Sequence, residues 1–82
     1  MNRLPLYSSE QIISALTKDG FQLRRKSTRG SHQVFIKRLL MGKKYIVTVP
    51  IGKKEIPRGT FSSILRQAGL SRQRFVELVQ DC

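Results

Sequence analysis

Apolar positions change their period twice along this chain. From Ile12 the pattern is helical, with Ile12, Ile13, Ala15 and Leu16 on one face. Ser8 or Ser9 supplies the cap, and Ser8 with Gln11 three residues on fits a capping box. Gly20 stops the helix as a left-handed residue just past its end. The period then becomes two: Phe21 and Leu23 point one way, Gln22 and Arg24 the other, which predicts a half-buried strand. A polar turn, Ser27 to Ser31, leads into a second strand over His32–Arg38. Leu39 through Lys44 connect it to a third, Tyr45–Val49, which is rich in β-branched residues and ended by Pro50. Three consecutive strands with short connections predict an antiparallel meander.

The helical period then returns. Phe61, Ile64, Leu65 and Ala68 fall at i, i+3, i+4 and i+7, with Thr60 as the predicted cap. Gly69 ends this helix, and Leu70 folds back on Leu65 as the hydrophobic contact of a Schellman motif. Ser71 caps a short third helix with Phe75, Leu78 and Val79 as its apolar stripe. The order is α-β-β-β-α-α. Helices segregated from strands in this way predict an α+β two-layer sandwich. Residues 1–82 read as one domain, with a core over roughly 8–71, a C-terminal helix over 72–80 and an extended lead-in at Arg3–Leu6. Repeats, low-complexity segments and linkers are absent from the sequence. A chain this short buries only roughly 60% of its extended surface, so chemistry must take place on an open face or in a shallow groove. A polymeric substrate suits that better than a small metabolite.

Charge narrows the class of partner. Sixteen Lys and Arg against five acidic residues give a net charge of +11. The five acids, Glu10, Asp19, Glu55, Glu77 and Asp81, all flank the stretch from Gly20 to Lys54, which holds ten Lys or Arg and no acid. Such a block favours a polyanion, with nucleic acid ahead of an acidic protein. The single cysteine, Cys82, excludes an intramolecular disulfide and a cysteine-built metal site. The apolar runs are too short to span a membrane, and Met1–Tyr7 lacks the apolar core of a signal peptide. A cytoplasmic protein with no membrane partner is expected.

The candidate for chemistry is His32, the only histidine. It stands in Arg29-Gly30-Ser31-His32, and histidine is the side chain whose ordinary pKa lies near neutrality. Its orientation is left open by the alternation. If Val34 and Ile36 pack under the helices, His32 is drawn to the core edge; if Phe35 is the inward residue, His32 stands on the open face. The pattern alone leans slightly to the first. In the second arrangement Val34 and Ile36, joined by Ile46, form an exposed apolar patch that reads as a protein-docking surface.

With few carboxylates to hold ions, metal-dependent hydrolysis is disfavoured, and neither metal nor cofactor is expected. RNA carries its own nucleophile, the 2′-hydroxyl, so one histidine as general base or acid plus cations on the phosphate would suffice. Lys26, Arg29, Lys37, Lys43 and Lys44 are the candidate phosphate-binding residues. The N–H groups of Gly59 and Thr60, beside Lys53, Lys54 and Arg58, form a candidate second anion site, although a structural cap is the stronger role for Thr60.

Several of these segments together carry a resemblance. They are Lys18-Asp19-Gly20-Phe21, Gly30-Ser31-His32, Val47-Thr48-Val49-Pro50, Gly59-Thr60-Phe61 and Ile64-Leu65-Arg66-Gln67-Ala68-Gly69-Leu70. In that order and spacing the chain resembles the HicA toxin family of bacterial type II toxin–antitoxin modules, over roughly residues 8 to 71. The resemblance implies a fold like a double-stranded RNA-binding domain, α-β-β-β-α, and a small mRNA interferase, an endoribonuclease that arrests translation. It implies a HicB-like antitoxin covering the active face. It maps the family's essential histidine onto His32, with Gly30 and Ser31 as its lead-in, and so favours the open-face orientation. Two departures stand out: Gln33 replaces the second histidine many members carry, and the Leu39-Leu40-Met41 connection is longer and more apolar. Two rival classes remain, a non-catalytic double-stranded RNA-binding module and a structural subunit of a ribonucleoprotein.

Overall fold

The computed structural model describes residues 6–25 and 32–80. The lead-in at Arg3–Leu6 therefore falls mostly outside the described residues, as does the turn from Ser27 to Ser31. Helix α1 spans Ser9–Lys18, β1 Gln22–Arg25, β2 His32–Arg38, β3 Lys44–Pro50, α2 Arg58–Ala68 and α3 Arg72–Gln80. The order is the α-β-β-β-α-α expected from the sequence. The three strands form one antiparallel sheet in the order β1-β2-β3.

Local chemistry explains most of the boundaries. The capping box forms: Ser8 Oγ accepts from Gln11 N–H at 3.1 Å, and Gln11 Oε1 accepts from Ser8 N–H at 2.9 Å. At the end of α2, Gly69 is left-handed (φ 68°), and Leu70 N–H donates to Leu65 O at 3.0 Å, closing the Schellman motif. Ser71 Oγ accepts from Arg74 N–H at 3.0 Å and caps α3.

Two boundaries differ from expectation. Thr60 does not cap α2; it is the third residue of a helix that begins at Arg58, with Pro57 as N-cap and no side-chain cap bond. Buried Ile56 anchors the chain just ahead of that start, so the helix gains a polar first turn that apolar periodicity does not register. Strand β3 also runs through Pro50 instead of stopping before it. Thr48 N–H donates away from β2, to Gln67 Oε1 at 3.0 Å. Pro50 shares that outward phase, so its missing N–H costs the ladder nothing.

The sheet has one wet and one dry face. Phe35, Val47 and Val49 point to the dry side and join Ile12, Leu16, Phe21, Ile64, Leu65 and Phe75 in the core. Tyr7, Phe61 and Phe75 meet with ring centroids 4.9–5.4 Å apart, tying the approach to α1 to the two C-terminal helices.

Candidate nucleic-acid interface

The register of β2 and β3 decides which way His32 points. Phe35 is 3% exposed and pairs with Val47 on the helix side. His32, Val34, Ile36 and Arg38 therefore share the opposite face, where they pair with Pro50, Thr48, Ile46 and Lys44. His32 is exposed there, at the first position of β2. Because Thr48 N–H points outward, Val34–Thr48 is a non-hydrogen-bonded pair, and so is His32–Pro50 two residues on. Such pairs bring Cα atoms to about 4.5 Å, so the ring of Pro50 flanks the histidine.

Among the described residues the predicted cations do not gather into one cluster. Lys37 has the opposite phase and lies on the helix side of the sheet. Its Nζ donates to Asp19 Oδ2 at 3.0 Å, and Arg74 sits 3.8 Å from the same carboxylate. Asp19, read from the sequence as a flanking charge, thus neutralises part of the basic block. Lys43 and Lys44 are exposed but stand at the far end of the β2–β3 hairpin. Six steps along the strand lead from Lys44 to Pro50, about 20 Å at roughly 3.3 Å per residue. Lys26, Arg29, Gly30 and Ser31 lie outside the described residues.

Two groups of cations acquire a place that their sequence positions did not suggest. Arg38 shares the face of His32, a placement already available from strand alternation, since the two residues are six apart. Lys53 and Lys54 leave the sheet just beyond Pro50, so the backbone of Lys53 lies within about 11 Å of the residue paired with His32. That loop is tied down: Ser9 N–H donates to Lys53 O at 2.9 Å, and Lys53 N–H donates to Ser9 Oγ at 3.0 Å. Ser9 is buried for this purpose.

None of the described acidic residues lies in the sheet. Among the described residues no three His, Cys, Asp or Glu side chains come together as a metal site would require. The open face thus offers a histidine at one end, Val34, Ile36 and Ile46 along it, and Arg38 and Lys44 at the other end.

A family model for the HicA toxin of bacterial toxin–antitoxin systems matches residues 9–70. The chain belongs to the HicA toxin family. The match begins with α1 and ends at Leu70, so it spans both helices that back the sheet and all three strands. A search of curated protein sequences returns no match. As a HicA toxin, the chain acts in a toxin–antitoxin module with ribonuclease-type activity, in line with its α-β-β-β-α order. Among the described residues no helix is long and apolar enough to cross a membrane.

Proposed function

We propose that this HicA toxin is a metal-independent mRNA endoribonuclease that uses His32 as general base and acid and arrests translation in the cytoplasm. The observation that carries the reading is the exposure of the only histidine on the open sheet face, with no acidic residue beside it in the sheet. Neutral imidazole takes the proton of an RNA 2′-hydroxyl. The resulting oxygen attacks the adjacent phosphorus, and the bond to the 5′-oxygen breaks. The products are a 2′,3′-cyclic phosphate and a 5′-hydroxyl end, the leaving oxygen taking up a proton. Negative charge building on the phosphate is met by cations near that end of the sheet, with Lys53 and Lys54, just beyond Pro50, nearest along the chain and Arg38, Lys43 and Lys44 holding the strand further along at the hairpin end. Lys26, Arg29, Gly30 and Ser31 complete the proposed lead-in to His32. Lys37 is left out, because its ammonium pairs with Asp19 on the other side of the sheet.

The aliphatic row Val34, Ile36 and Ile46 supports a partner that lies on this face, and a HicB-like antitoxin is the proposed occupant. The competing reading, a double-stranded RNA-binding module without catalysis, shares the fold and the charge. His32→Ala separates the two: cleavage and growth arrest should be lost while the circular dichroism spectrum is kept, whereas a pure binder keeps its function. Cleavage should persist in excess EDTA and stop at a single 2′-deoxy position placed at the cut site. Activity lost to chelator, or cutting at the deoxy position, would show the transesterification to be wrong.

A further inference from the structure

Among the described residues the two most exposed large apolar side chains, Leu40 (88%) and Met41 (95%), stand together at the tip of the β2–β3 hairpin. The turn is a rigid one. Lys43 N–H donates to Leu40 O at 3.3 Å, and both central residues, Met41 (φ 61°) and Gly42 (φ 77°), have positive φ. That is the pattern of a type I′ turn, whose first central position suits Asn, Asp or Gly. Here it holds Met41, the only non-glycine with positive φ among the described residues. A bulky apolar residue thus sits in a strained conformation, fully in water, on a turn whose twist matches the strands. Strain of this kind points to use by a partner.

We propose that this tip is a separate anchor for the antitoxin, with Leu40 and Met41 entering an apolar pocket rimmed by carboxylates. The inference rests on the partner reading above and adds a site to it. Exposed Arg38, Lys43 and Lys44 surround the base of the tip, with no acidic residue between Asp19 and Glu55 in the sequence, so the rim of the complementary pocket is acidic. Nucleic acid is the poorer occupant, because Leu40 and Met41 offer no aromatic ring for a base to stack on. A lipid surface would touch the tip alone. Beyond the charged pair Arg38–Lys44, the open face carries Ile36 and Ile46 (38% exposed), which favours a body that lies along the sheet and meets both the basic pair and the aliphatic one. A preformed turn loses little conformational freedom on docking. The tip also lies more than about 20 Å from His32 along the strands, beyond the Arg38–Lys44 pair, so holding the toxin and covering its histidine are separable acts.

The double variant Leu40→Ser, Met41→Asn tests this, since both side chains are exposed and Asn accepts positive φ. The probe is a purified HicB-like antitoxin from the toxin's own module. The variant should bind it at least tenfold more weakly, about 1.4 kcal/mol, cleave RNA at the wild-type rate when free, and melt no lower than wild type. Affinity within twofold of wild type would overturn the anchor while leaving the toxin reading intact. Failure of the wild type to bind would remove the partner reading itself. A tenfold loss of cleavage would make the tip an RNA contact. Sedimentation with phosphatidylglycerol–phosphatidylcholine vesicles should be equal for both proteins; a loss confined to the variant, with antitoxin affinity unchanged, would assign the tip to lipid instead.

Discussion

Gly69 answers two demands at once. Its φ of 68° closes α2, and a Cβ at this position would stand 2.6–2.8 Å from the ring of Tyr45. Gly69→Ala should therefore lower unfolding free energy by about 1–3 kcal/mol, combining left-handed strain with overpacking. Urea denaturation measures this, and a change below about 0.5 kcal/mol would mean that Tyr45 swings aside at no cost. The helix stop was legible in the sequence because only local geometry sets it; the Tyr45 contact was not, because it joins β3 to the end of α2 across the fold. His32 shows the same divide. Alternation established that Val34 and Ile36 share its side, but all three middle residues of β2 are apolar, and only packing against Val47 and the helices selects Phe35 as the inward one. Thr60 was misread because capping preference is local too, and Pro57 with buried Ile56 moved the helix start one turn earlier.

Among the elements, the joint between α1 and the loop after β3 matters most for the proposed site. Ser9 serves that loop with both its N–H and its hydroxyl, and Ile56 N–H adds a bond to Tyr7 O at 2.8 Å. Removing the hydroxyl leaves the Lys53 N–H without its acceptor in a partly buried setting. Ser9→Ala should cost about 1–3 kcal/mol, speed hydrogen exchange at the Lys53 amide, and blunt RNA cleavage by loosening Lys53 and Lys54. A stable variant with an unchanged exchange rate would show that water replaces the hydroxyl freely. The sequence showed a serine pair able to cap α1. The capping-box spacing of Ser8 and Gln11 pointed to Ser8 as the cap, but nothing marked Ser9 for the loop, since Lys53 lies far along the chain.

At the scale of the molecule, the cations behind the charge of +11 lie on the helices as well as the sheet and are not focused on His32. RNA should therefore be held along a track, with binding that weakens steeply in salt as counterions are released. Lys43→Ala with Lys44→Ala should flatten log affinity against log salt by up to about two units; an unchanged slope would take both lysines off the track. The overall α+β order and the basic character were readable from period and composition. Which cations act together was not, because Lys37 differs from Arg38 only in strand phase and finds Asp19 through the fold. The bond from Thr48 N–H to Gln67 Oε1 has a further consequence. It occupies one outward donor of β3, and Pro50 supplies none at the next, so the outer edge of β3 at that end offers an added strand no donor at these two positions. An inhibitor that pairs as a strand there would forgo two main-chain bonds, and edge-to-edge association of copies at that end is disfavoured for the same reason.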